Sequence, residues 1–201
     1  MESLATTLLS MNKAPMTLTQ PLPLWPEAPR YTQRAFPSYR FTPGLNKHPT
    51  ALPEGHSYGH DIADEVKTHI SIENWKQNEI YLYGIDLYHQ GYLWESHEAW
   101  EALWHLTGKT DPEGQFLQGL IQNSAALLKV HLKQWAPARH LSHEAFERLC
   151  SVLESAVCAE SKNIFMGLPL EKFLQDMQSY YKPLWEGSEE TFSNPPLFIL
   201  K

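Results

Sequence analysis

Nine of the chain's 15 prolines fall between Pro15 and Pro53. The stretch PLPLWPEAPRYTQRAFPSYRFTPGLNKHPTALPEG therefore has no room for a sustained helix, because proline lacks the amide donor and clashes with the preceding turn. It is also rich in aromatics (Trp25, Tyr31, Phe36, Tyr39 and Phe41), side chains that a free polar tail rarely carries. The expectation is an extended arm over residues 1–70, with its first ~20 residues free and the remainder lying across a folded body.

From about Ser71 the pattern becomes helical. Blocks of helix length are predicted over 72–90, closed by Gly91, over 92–106, ended by Thr107-Gly108, and over about 112–134. For the third block Asp111 is the N-cap and Pro112 the first helical residue. A fourth begins at Pro137 and runs to about Glu160, and a fifth covers 170–181, stopped by Pro183. No strand-like alternation competes, and short connections favour antiparallel neighbours. The fold class is all-α: an up-and-down bundle of about five helices over 71–185, with the Pro-rich arm before it and a tail over 186–201.

Composition narrows function mainly by exclusion. The formal net charge is -7 and no basic run occurs, so nucleic acid and anionic membrane surfaces are poor partners. No stretch approaches the ~20 apolar residues of a membrane span, and residues 1–15 lack the basic start of a signal peptide. Cys150 and Cys158, placed on one helix, would stand roughly 12 Å apart, beyond disulfide reach. A reducing compartment follows, with the cytoplasm as the default. No nucleophile elbow, P-loop or dinucleotide fingerprint is present.

The chemistry concentrates on the second helical block. At about 100° per residue, Trp104, His97, Glu101, Trp94, His105 and Glu98 share an arc of about 120°. His97 and Glu101 stand one turn apart, the spacing at which two side chains bind one ion. Glu98 and Glu101 are close enough to raise each other's pKa, as a general base requires. The ordinary alternative is a solvated face carrying charge pairs. On the third block Gln118, Gln122, Lys129 and Lys133 fall within roughly 60°, opposite the apolar side; His131, inside the apolar arc, reads as a core or boundary histidine. Asp86 and His89 form another pair one turn apart, with Asp86 expected to be buried and bonded to His97 or to be purely structural. In the arm, His48, His56 and His60 include a pair spaced by four, which could share an ion only if helical.

The string LYHQGYLWESHEAWEALWHLTG, followed by FLQGLIQNSAALLK, resembles the bacterial family called domain of unknown function 309. The resemblance rests on Gly91, Tyr92, Glu95, His97, Glu98, Glu101 and Trp104, then Gln118, Gly119, Leu120, Ile121 and Gln122, and covers roughly residues 80–150. The arm's PSYRFTPGLNKHP is similar to a preceding segment of some members. The family implies a helical bundle and carries the label "predicted metal-dependent hydrolase", without a settled substrate. Lys129 stands where many relatives carry histidine, which removes a ligand, since a protonated lysine cannot coordinate, and suits an anionic group instead.

The leading expectation is a pocket between the second and third helices. His97 and Glu101 would hold one divalent metal, and Glu98 with Glu101 would act in catalysis. Gln118, Gln122, Lys129 and Trp104 would contact a small-molecule substrate. The competing expectation is a non-catalytic binding module in which the same polar residues fix the fold.

Overall fold

The computed structural model describes residues 25–190 and 194–201. The expectation of free residues at the start of the chain lies outside them. Among the described residues six α-helices carry the fold: α1 (Glu79–His89), α2 (Leu93–Trp104), α3 (Pro112–His131), α4 (Trp135–Leu153), the short α5 (Ala156–Glu160) and α6 (Leu170–Trp185). Each of α1 to α3 packs on the next in sequence, α3 packs on α4, and α4 packs on α6. The mostly helical architecture agrees with the sequence.

Several boundaries differ, each for a local reason. Residues 72–78 form a turn and a short 3-10 helix (Trp75–Gln77), and α1 begins where the Asn78 side chain accepts from the Tyr81 amide. α3 stops at His131, and Lys133 takes a left-handed φ of 55°. Asp111 does precede α3, but its carboxyl caps no amide. The fourth block is two helices, because Ser155 caps a new one through the Cys158 amide. The two cysteines therefore sit on different helices, both as free thiols. Pro183 lies inside α6 rather than ending it. A two-residue antiparallel hairpin, β1 (Ile164–Phe165) and β2 (Leu168–Pro169), precedes α6, turned by Met166 and Gly167 at positive φ.

Gly91, at φ 77°, lets α1 reverse into α2 within three residues. Gly84 lets Trp100 of α2 lie against α1, since a Cβ there would fall 2.3 Å from the indole nitrogen. That nitrogen donates to the Tyr81 carbonyl at 3.2 Å. Ser96 of α2 and Ser124 of α3 bond at 2.6 Å, and Ser124 donates to the Leu93 carbonyl at 2.7 Å. Small hydroxyls thus bring α2 and α3 close while bonding to each other and to the Leu93 carbonyl.

α1 is buried on nearly all sides, which a bundle of consecutive helices alone does not achieve. The arm covers its outer face. Asp86, fully buried, accepts from the Tyr31 and Thr32 amides at 2.8 and 2.9 Å and from the Thr32 hydroxyl at 2.7 Å; the Arg30 guanidinium approaches at 3.2 Å. Asp86 is thus buried as the sequence suggested, but its partners are the arm and not His97. Phe36 stacks on Tyr92, with ring centroids 5.2 Å apart. The C-terminal segment docks as well: Phe198 is fully buried, and the Leu200 amide donates to the Tyr31 hydroxyl at 3.0 Å.

Candidate functional site

Two adjoining arrangements meet on α2. The first is the His97–Glu98–Glu101 group, in which one donor atom from each residue lies within 4.8 Å of the others. All three are half-buried, so the helix holds their backbones while water reaches their ends. Two ligands bound about 2.1 Å from one ion stand at most about 4.2 Å apart, so rotamer adjustments of roughly half an ångström would close the set. The 3.1 Å between His97 Nδ1 and Glu98 Oε1 suits neighbouring ligands. One imidazole and two carboxylates are a donor set that a hard or borderline divalent ion accepts, with water completing the shell. The residues fit such an ion. His105, on the same arc, lies exposed just beyond the end of α2 and outside this group.

The residues expected on the facing helix are spread more widely. Gln122 accepts from Arg148 Nε at 3.0 Å, and the same guanidinium donates to Gln115 at 2.8 Å, tying this part of α3 to α4. Gln118 is half-buried between them on the same helix. Lys129 lies in the last turn of α3, where its charge also complements the helix dipole. Trp104 has Lys109 Nζ 4.7 Å from its ring centroid, and its indole nitrogen is buried without a partner among the described residues. His131 is half-buried at the end of α3, in keeping with a boundary histidine.

The second arrangement was not foreseen. A cavity of about 100 Å³ lies between the arm and the helices α1 and α2, and Glu98 lines it together with Glu95, His56, His60, Arg34 and Trp94. Its floor is Glu95, 5% exposed, which accepts from the Phe41 amide at 2.7 Å and lies 2.9 Å from His56 Nε2. Its rim is an ion pair: Arg34 meets Glu65 through two bonds of 2.6 Å, and His60 Nε2 stands 3.0 Å from the same carboxylate. The Arg34 bond holds the Glu65 carboxyl below its ordinary pKa and raises that of Arg34. Tyr83 also borders the cavity, and burial pushes its phenol up to about 12. The arm histidines spaced by four are not helical and go to different carboxylates. His48 packs instead against Phe41 and Trp94, at 5.1 and 5.5 Å.

The available signal for this cavity was the histidine pair in PEGHSYGH combined with Glu95, a carboxylate on the side of α2 away from His97. Helical spacing could not connect them, because the connection is made by non-helical chain.

No curated protein and no solved structure matches the chain. The model of one family, described as "Domain of unknown function (DUF309)", matches residues 81–141. The match begins in α1, takes in α2 and α3 with both polar stripes, and ends in α4. Over that segment, which is under a third of the chain, the sequence is similar to the DUF309 family.

Proposed function

We propose that the chain is a metal-dependent hydrolase centred on the His97–Glu98–Glu101 face of α2. The observation that carries this reading is the convergence of three donor atoms within 4.8 Å on half-buried side chains. In it, His97 and Glu101 hold a divalent ion, which would supply Lewis-acid polarisation of a substrate oxygen. Glu98 belongs to this group and lines the cavity, and in this reading it would take or return a substrate proton. Gln118, Gln122 and Lys129 would orient a polar or anionic part of a small-molecule substrate, with Trp104 as a wall. Two free thiols fit a reducing compartment, and we place the protein in the cytoplasm on that ground. No helix among the described residues is long and apolar enough to cross a membrane.

A second reading, a non-catalytic binding module, draws support from Arg148, which uses Gln122 and Gln115 to join α3 and α4. Metal analysis of untagged protein, combined with thermal melts in the presence and absence of chelator, separates the two. The His97 side chain is 26% exposed and Glu101 is half-buried, so His97→Ala and Glu101→Ala should each cost under about 1 kcal/mol without metal. Both should abolish bound metal and the chelator sensitivity of the melt. A wild type that holds no divalent ion and melts identically with chelator sinks the hydrolase reading and leaves the module.

A further inference from the structure

Another cavity lies wholly outside residues 81–141, at the far end of α1 from the arm's contact with Gln90. It measures about 310 Å³, at the lower end of the roughly 300–1,000 Å³ of small-molecule sites and about twice the roughly 150 Å³ that holds benzene. Its floor is the β1–β2 turn, where Phe165, Met166 and Gly167 are buried. One wall is Ile72 and Trp75, from the segment before α1; the other is Val157 of α5 with Ile164 of β1. These four side chains are half-buried or exposed, so solvent reaches the apolar walls.

Trp75 is fixed in place. Gly167, at φ 80°, brings its backbone against the indole, and a Cβ there would fall 2.3 Å from the ring. Tyr81 packs edge-on to the same ring with centroids 6.3 Å apart, and its hydroxyl donates to the Met166 carbonyl at 2.9 Å. Ring and turn are thus held together before any ligand arrives, which lowers the ordering cost of binding.

The charge on this lining has one sign. Lys76 and Lys201 stand on it, with no Asp or Glu; Glu73 and Glu160, sequence neighbours of lining residues, stay off it. Neither lysine has a carboxylate within ion-pair distance among the described residues. Lys76 Nζ lies 5.3 Å from the Trp75 ring centroid, so an ammonium adjoins the aromatic face. Lys201 is tied to the floor through its amide, which donates to the Gly167 carbonyl at 2.9 Å. Any carboxylate at the end of Lys201 offsets only that residue's own ammonium, which leaves Lys76 to set selectivity. No arginine stands on the lining to grip a phosphate through two parallel bonds, so a singly charged head is the better match.

We propose that this cleft binds a small amphipathic carboxylate, with an aromatic ring or short alkyl chain on Trp75 and its head at Lys76. The site needs no assumption about the α2 centre.

The test is a titration of the full chain with 2-naphthoate, held in chelator so that no metal on α2 contributes. Binding is followed by calorimetry and by the NMR signals of the Trp75 indole and the Met166 methyl. Saturable binding that moves both signals is expected. Because Lys76 is exposed, its ion pair is a weak one: neutral 2-naphthylmethanol and cationic 2-naphthylmethylammonium should bind about threefold or more weakly at low salt. The difference should shrink as salt is added. Lys76→Glu, a change at an exposed position, should erase or reverse the preference for the carboxylate over the ammonium. Val157→Trp fills the cleft from α5 and should abolish binding; should it fail to fold, Lys76→Glu still decides. No saturable binding, equal binding of the three probes, or an unchanged preference in folded Lys76→Glu overturns the proposal. Sedimentation showing a dimer that Val157→Trp breaks, with no probe bound, overturns it in favour of contact between two copies.

Discussion

His89 ends α1 with its ring against Tyr88 and Phe198, each centroid 6.1 Å away. Burial holds its imidazole neutral and brings its pKa down to about 4. In the unfolded chain the same group takes up a proton near 6.5. Stability is therefore full above about pH 6.5 and falls as pH drops towards 4, by on the order of 3 kcal/mol from this residue. Glu65, held below its usual pKa by Arg34, loses stability in acid as well. His89→Phe isolates the histidine contribution: urea melts at pH 7 and pH 4.5 should show a smaller acid loss in the variant than in the wild type. Equal losses in both would remove His89 from the account. At this scale the sequence marked the polar residues of α2 by spacing alone, since a helix fixes which side chains are neighbours. It could not pair Asp86 with Thr32 or His56 with Glu95, because each pair joins a helix to a chain without periodicity.

Helices α1 to α3 were legible because their apolar residues repeat with the helical period and their ends carry Gly91 and Pro112. The break between α4 and α5 was missed because Ser155 acts as a cap only in a conformation that tertiary packing selects. Pro183 was misread because a proline late in a helix need only displace one carbonyl. The arm, recognisable by composition, has a route that only its contacts define. Those contacts converge on Asp86, so Asp86→Ala leaves the Tyr31 and Thr32 donors buried without an acceptor. The expected cost is about 2–4 kcal/mol. It should appear as local opening of the arm before the bundle melts. In limited proteolysis the wild type should resist cleavage from about Trp25 onward, whereas the variant should be cut between residues 25 and 60. Cleavage of both at the same rate there would show that Asp86 does not hold the arm.

Across the molecule, one polar network ties distant parts of the chain. Asn123 of α3 donates to the Tyr88 hydroxyl at 3.3 Å and accepts from the Tyr181 hydroxyl at 3.0 Å, and Tyr88 donates to the Pro196 carbonyl at 2.9 Å. Phe198 enters the same core beside Tyr88, Trp100 and Phe173. Phe198→Ala should destabilise by about 3–5 kcal/mol through the cavity it opens, read from denaturant midpoints. A change below 1 kcal/mol would mean that the C-terminal segment is a dispensable cover. The meeting of Tyr31 with Leu200 has a kinetic consequence. Helices that pack on their sequence neighbours close short loops and form fast, whereas this contact must close a loop spanning most of the chain. Refolding should therefore place α1 to α4 first and seal the arm over them late. The cavity over Glu95 is walled by contacts from Phe41 and His56 that close loops of intermediate length, so it should form after the helices and before the C-terminal segment pins the start of the arm.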